Sequence, residues 1–497
     1  MYRFACLIVL LGGISLAACS SSAPAEPVEE GTYFIRDDDG RVLILHGMNV
    51  MGSAKGDPGH VPVDITPEYI QHYGREWGFN FARYLILWDG VEPTLGEYDD
   101  EYLDATEERL DWLWDEGIFV MLDMHQDVYS AYFGHNGAPE WAVEDDGLPF
   151  ENQPSWDQDY FQPGVMRAFD NFWNYEGPYP YLQDHYADAW ATVVERFKDH
   201  PAVIGYDLMN EPSPGEALLL DEIFLTPSDG PAADFDRTRF TEFYQRMIDR
   251  TRQADPDGWI FYEPRYAGPA NGQPSYIGKL NDPRSDEARI AYAPHLYSVM
   301  MELFRGYEVG DDNTLVNWEM NRASEVAAQR APIVLGEWGF DWTWGNAPVF
   351  MDDVNEMADR MMLSWAYWPG DPNRSDSPNG WSIWDWENSD DKDGIVDRPA
   401  ADALVRVYPQ RVAGIPRSFL YEPAMRVFEL SFDPSPSATT PTEIFIPERR
   451  HYPSGWMLTG CDEAEGCTST WDADREILRV DTGGRTDRVE LTISPAP

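Results

Sequence analysis

The chain has 497 residues, with 88 Asp and Glu against 36 Lys and Arg, a formal net charge of -52 and 14% aromatic residues. Acidity spread along the whole length describes a solvated acidic surface, with a saline habitat as one reason for it, and argues against a nucleic-acid-binding protein. The length exceeds one small domain and leads us to expect a large catalytic domain with a smaller companion.

At the N-terminus, "MYRFACLIVLLGGISLAACSSS" joins Arg3 to a short apolar run ending in Leu16-Ala17-Ala18-Cys19, the pattern of a cleaved export signal over 1–18. The Leu-Ala-Ala-Cys tetrad resembles a bacterial lipobox, in which Cys19 would carry lipid and anchor an exported lipoprotein to a membrane at the cell envelope or outer surface; without lipidation the protein would be secreted. Residues 19–31, rich in Ser, Ala, Pro and Glu, read as a tether. Only Cys461 and Cys467 then remain, and a local disulfide is expected between them, because no His lies near at zinc-ligand spacing.

Residues 32–401 carry eight short apolar runs separated by amphipathic helical stretches. The runs are "RVLILHG" (41–47), "FNFARYLIL" (79–87), "IFVMLDMH" (118–125), "VIGYDLMNE" (203–211), "WIFYE" (259–263), "IAYAPHLY" (290–297), "PIVLGEWG" (332–339) and "LSWAYWP" (363–369). Helices are expected between them over 101–116, 186–198, 235–253 and 315–329. This is the pattern of an α/β fold, a (β/α)8 TIM barrel. From 402 to 497 Pro-punctuated strands such as "RVFELSF" and "RVELTIS" predict a C-terminal antiparallel β-sandwich.

Reacting groups in such a barrel stand at the C-terminal ends of the strands. Strand two carries Arg83, and Asp123, His125, Asn210, Glu211, His295, Tyr297, Glu337 and Trp368 fall at the ends of the other strands. One acid closing a strand commonly caps the next helix or pairs with a rim Arg, but polar endings on most of eight strands do not suit an apolar barrel interior. Two carboxylates facing across the mouth are what glycoside hydrolysis requires: an acid of raised pKa and an ionised partner. Glu211 and Glu337 are the candidates. A separation of roughly 5 Å would mean retention of anomeric configuration, and roughly 6.5 to 9.5 Å inversion.

"LMNEP" (208–212), "LGEWG" (335–339), Arg83, His125, the His295/Tyr297 pair and Trp368 together resemble glycoside hydrolase family 5, retaining (β/α)8 enzymes of the cellulase superfamily. The resemblance implies Glu211 as acid/base, Glu337 as nucleophile, Asn210 on the sugar 2-hydroxyl, Tyr297 hydrogen-bonded to Glu337, Arg83 keeping that carboxylate ionised, His295 in support and Trp368 flooring the sugar site. Within the family, "DMHQDVYS" (123–130), the lysine after strand one and "YPQRVAGIP" (408–416) resemble endoglycoceramidases. That implies sugar contacts from Asp123, His125 and Lys55, one of only four lysines. Lys55 follows Asn49 by six positions, two more than the endoglycoceramidase pattern and nearer to relatives that remove one glucose from ceramide.

Two active-face loops, "SPGEALLLDEIFL" (213–225) and "SVMMELFRGY" (298–307), are more apolar than a polysaccharide cleft needs. Leu218, Leu219, Leu220, Phe224, Met300, Met301 and Phe304 are candidates to receive acyl chains. In the aromatic-rich insertion 126–185, Trp173 is the candidate to stack on sugar. The expectation is a retaining glycosidase that cleaves the sugar–ceramide bond of a glycolipid, or failing that an oligosaccharide, needing no metal or cofactor. The alternatives are a glucosylceramidase, an endo-β-glucanase and, from another class, a non-catalytic carbohydrate-binding surface lipoprotein.

Overall fold

The computed structural model describes residues 33–50, 52–56, 58–61, 65–218, 227–285, 287–308, 313–370, 380–383, 400–436 and 438–497. The expected signal and tether, with Cys19, lie outside these residues. Eight parallel strands build the barrel: β1 (His46–Val50), β2 (Phe81–Leu87), β3 (Phe119–His125), β4 (Val203–Asp207), β5 (Trp259–Tyr262), β6 (Ile290–Tyr292), β7 (Val334–Trp338) and β8 (Ser364–Tyr367). They run in the spatial order β6-β5-β4-β3-β2-β1-β8-β7. Parallel bridges from Tyr292 to Ile333 and from Leu296 to Trp338 join the two ends and close the cylinder.

Helices α1 (Asp100–Asp115), α2 (Pro163–Trp173), α3 (Tyr181–Phe197), α4 (Thr241–Ala254), α5 (Val299–Phe304), α6 (Thr314–Gln329) and α7 (Ala347–Met361) surround or cap it. The N-cap of α1 shows why that helix starts where it does: the Asp99 side chain accepts from the Tyr102 N–H, and Asp100 and Glu101 sit at the positive end of the helix dipole.

One expectation is corrected. The run "RVLILHG" is not one barrel strand. Val42–Leu43 pairs antiparallel with Tyr408–Val412 of the C-terminal sandwich, and the barrel strand begins at His46. The sandwich has a five-stranded sheet that includes this N-terminal piece and a four-stranded sheet. The connection that crosses from one sheet to the other, between Trp456–Thr459 and Thr468–Asp472, carries the Cys461–Cys467 disulfide. Gly78 at the barrel floor receives hydrogen bonds from Tyr408 and Gln410 of the sandwich at 2.7 and 2.8 Å. On the helical side Arg406 pairs with Asp359 of α7 at 2.8 Å, both buried.

Strand periodicity explains the position of the site. Phe81, Met121, Phe261, Ala293 and Ala366 form an apolar cluster filling the lower barrel. Two residues further along each segment, on the same inward face, come Arg83, Asp123, Glu263, His295 and Trp368. The barrel thus carries an oily lower layer and a polar upper one, and the polar layer faces the mouth.

Candidate active site

Arg83 is fully buried at the centre of the polar layer. Its Nη1 donates to Glu337 Oε1 at 2.6 Å and to Asn49 Oδ1 at 3.1 Å. Its Nη2 donates to Glu263 Oε1 at 2.8 Å and to Asn210 Oδ1 at 3.0 Å, and stands 3.0 Å from Asp123 Oδ1. Its Nε donates to Asp207 Oδ2 at 3.0 Å. One guanidinium therefore contacts four carboxylates, a task its planar fork suits better than the point charge of a lysine.

Glu337 lies within β7. Burial alone would raise its pKa, but the charges of His295 and Arg83 outweigh that and hold it below the usual glutamate range. The Tyr297 hydroxyl donates to its second oxygen at 3.0 Å. Glu211 follows β4 on a segment whose Asn210 N–H bonds Met124 O of the neighbouring strand. Its backbone is in the left-handed region, φ 40°, a conformation that costs a residue with a Cβ about 1–3 kcal/mol and persists only where its surroundings impose it. Glu263 Oε2 accepts the Glu211 N–H at 2.8 Å and holds it there. Burial pushes the Glu211 carboxyl above its ordinary value; His295 offsets this in part, and the charges of Glu337 and Glu263 add to it.

Glu211, His295 and Glu337 each offer an atom within 4.8 Å of the others. His295 Nδ1 is 2.9 Å from Glu211 Oε1 and 3.7 Å from Glu337 Oε2. At that spacing the two carboxylates are too close to hold the attacking water of an inverting enzyme between them and suit direct attack on the anomeric carbon. Asp123, Asp207 and Glu263 form a second group of the same tightness. In both groups the positive charge comes from the protein itself, through Arg83 and His295.

A second cluster lies beside the first. Lys55 Nζ is 2.7 Å from Asp127 Oδ2 and 4.3 Å from the centre of the Trp368 ring. His125 lies parallel to that ring at 5.9 Å, and its Nδ1 meets Asp123 Oδ2 at 2.7 Å. Burial would raise Asp127, but Lys55 and His125 outweigh it and hold Asp127 well below the carboxylate range. Asn210 is tied on both sides, its Nδ2 donating to Gln126 O at 2.9 Å. The structure thus gathers Lys55, Arg83, Asp123, His125, Asn210, Glu211, His295, Tyr297, Glu337 and Trp368 at one mouth.

Trp173 is not among them. It is 2% exposed, wedged against Phe172, Phe235, Phe240 and Phe243, with its Nε1 donating to Ser213 O at 2.7 Å. A ring enclosed in this way offers no face to a sugar; it braces the loop after β4 from below. Of the candidate acyl contacts, Met301 is likewise buried, whereas Met300 and Phe304 are exposed, as is Leu303. Leu219, Leu220 and Phe224 lie outside the described residues. Sequence reasoning missed Asp207, Glu263 and Asp127. Glu263 and Asp207 stand two residues beyond Phe261 and Gly205 on the inward face, so the strand-end rule that found Asp123 would have found them too.

Comparison with known proteins agrees with this geometry. Residues 42–390 match the family described as cellulase (glycosyl hydrolase family 5), and residues 406–494 match the glycoside hydrolase family 5 C-terminal domain. Endoglycoceramidase I of Rhodococcus hoagii is 29% identical over 88% of this chain and 83% of its own length. An endoglycoceramidase of Cyanea nozakii is 27% identical over 87% and 86%. Among solved structures, endo-glycoceramidase II from Rhodococcus sp. in its ganglioside GM3 complex superposes with a TM-score of 0.83 at 36% identity, over 94% of this chain and 100% of that one.

Proposed function

The chain belongs to glycosyl hydrolase family 5, and from that premise we propose that it hydrolyses the β-glycosidic bond between the sugar and the ceramide of glycosphingolipids, with retention of configuration. The observation that carries the chemistry is the Glu211/Glu337 pair within 4.8 Å, with its two environments pushed in opposite directions. Glu337, kept ionised, attacks the anomeric carbon. As the bond to the aglycone oxygen breaks, Glu211 delivers its proton to that oxygen and ceramide leaves. Glu211, now a carboxylate, takes a proton from water; the hydroxide oxygen displaces Glu337 from the anomeric carbon and the sugar is released with both carboxyls restored.

The named activities of the endoglycoceramidase relatives support the choice of glycolipid, as do the exposed Met300, Leu303 and Phe304 on α5. Asn210 serves the sugar 2-hydroxyl, Trp368 the sugar face, and Lys55, Asp127 and His125 the distal hydroxyls. We also propose that the protein is exported and tethered to the membrane through lipid on Cys19, which would bring it to a substrate that is itself in a bilayer. Mass spectrometry of the mature N-terminus tests this, and an unmodified Cys19 would remove the anchor.

The activity is tested by incubation with lactosylceramide and glucosylceramide and identification of the released sugar. Disaccharide release means endo action; glucose from glucosylceramide alone means a glucosidase. Hydrolysis of a soluble β-glucan with both glycolipids untouched replaces the reading with an endo-β-glucanase, and full activity in Glu337→Gln overturns the site assignment.

A further inference from the structure

Glu263 is not one of the reacting pair, yet it touches one member of that pair directly and reaches it again through His295. Its Oε2 accepts the backbone N–H of Glu211 at 2.8 Å, at the residue whose φ is 40°. Its Oε1 stands 3.2 Å from Nε2 of His295, whose other ring nitrogen stands 2.9 Å from Glu211 Oε1. Glu263 is itself fixed from behind: the Tyr244 hydroxyl donates to its carbonyl at 2.9 Å and accepts its N–H at 3.1 Å, and Arg83 Nη2 donates to Oε1 at 2.8 Å. Burial and the neighbouring Asp207 carboxyl push Glu263 up to about 7, while His295 and Arg83, the cations on Oε1, pull toward the carboxylate.

We propose that Glu263 is the positioning residue of the acid/base: by pairing with His295 Nε2 and accepting the Glu211 N–H, it orients Glu211 so that Oε2 carries the transferable proton. Both nitrogens of His295 face carboxyl oxygens, so the ring is held as an imidazolium with Nδ1–H directed at Glu211 Oε1. An oxygen that already accepts this bond is a poor site for the acid proton, and Oε2 is left to hold it. The same bond receives the negative charge that appears on Glu211 when the proton moves to the leaving oxygen. The ring keeps both its protons throughout, and the proton removed from water in the second half of the cycle returns to Oε2.

The inference rests on the reading of the chain as a retaining glycosidase. Its test uses the full chain, a glycolipid that the parent hydrolyses, and the dinitrophenyl glycoside of the same sugar, whose aglycone departs without a proton. In Glu263→Gln and Glu263→Asp, kcat/KM on the glycolipid falls about 100-fold, at the lower end of what a general acid contributes. On the dinitrophenyl glycoside kcat/KM changes by less than about threefold, the acid being dispensable there. Azide, a nucleophile that needs no general base, restores any loss of kcat on that substrate. Equal losses on the two substrates, or an unchanged rate on the glycolipid, would overturn the inference. Where circular dichroism shows that neither variant folds, Tyr244→Phe, which releases only the Glu263 backbone, carries the same comparison. Inactivity of the parent on both substrates refutes the functional reading itself and is a separate result.

Discussion

Replacing Arg83 by Met tests how the polar layer is held together. The substitution keeps much of the aliphatic volume but removes the cation that contacts Asp123, Asp207, Glu263 and Glu337 at 2.6 to 3.0 Å. Stranding a buried charge by deleting its partner costs about 3–5 kcal/mol. Four such charges do not cost four times as much, because the carboxyls can take up protons instead. Burial already pushes Asp207 up to about 6 and Glu263 up to about 7, against the pull of Arg83. The expected loss at pH 7 is therefore about 3–5 kcal/mol, out of the 5–15 kcal/mol or so that holds a domain together. The pH dependence has a definite sign. Carboxyls whose folded pKa lies above the unfolded value bind more protons in the folded state, so their penalty grows as pH rises through the folded pKa and fades below it. Urea unfolding followed by tryptophan fluorescence at pH 7 and pH 5 gives the comparison with the parent. The deficit of the variant should shrink to less than half at pH 5. A deficit below about 1 kcal/mol at pH 7, within the range of an ordinary surface substitution, or one that widens at pH 5, would refute the reasoning.

Three other outcomes follow from the site. Activity needs Glu211 protonated and Glu337 ionised, and their pKa values are displaced above and below the ordinary glutamate value. The kcat/KM profile on the glycolipid, whose aglycone needs a proton to leave, should therefore be a broad bell, its acid limb below and its alkaline limb above that value; a single limb would mean that the pair does not divide the two roles. Trp173→Ala should cost about 3–5 kcal/mol in urea unfolding, as a large aromatic lost from a core does, with KM on glycolipid unchanged; a KM effect without destabilisation would return the ring to the sugar site. Lys55→Ala should lower kcat/KM on lactosylceramide by about 10- to 100-fold, the scale of a charged hydrogen bond, and much less on glucosylceramide. Equal losses on the two would place Lys55 at the first sugar instead of the second.

The fold was legible because barrel strands and helices are local patterns, and each strand announces itself within a few residues. The misread run at 41–47 shows where this stops. Val42 and Leu43 have the same apolar character as any barrel strand, but their partners, Val412 and Arg411, lie some 370 positions away, and nothing local says which sheet a short apolar pair will join. Trp173 fails for a related reason: a ring that packs and a ring that stacks on sugar are the same residue in a sequence, and only the surrounding Phe235, Phe240 and Phe243 decide between them. Glu263 and Asp207 are a different case. Their period-two spacing from Phe261 and Gly205 was visible, but neither belongs to a motif, and motif reading passed over them.

The polar layer also explains how two glutamates in one pocket come to differ. Glu337 meets two cations: His295, whose charge lowers it most, and Arg83, at 2.6 Å, whose charge is permanent at any working pH. The cation closest to Glu211 is His295, at 2.9 Å, whose charge is held in place by Glu263 and Glu337, which outweigh its burial. A permanent charge suits the carboxylate that must stay ionised until it attacks. A single cation, opposed by burial and by the charges of Glu337 and Glu263, suits the carboxyl that must gain and lose a proton in every turnover, since a second cation would favour the anion. The assignment of nucleophile and acid therefore resides in the two cations that face Glu337 against the one that faces Glu211, and only secondarily in the glutamates themselves.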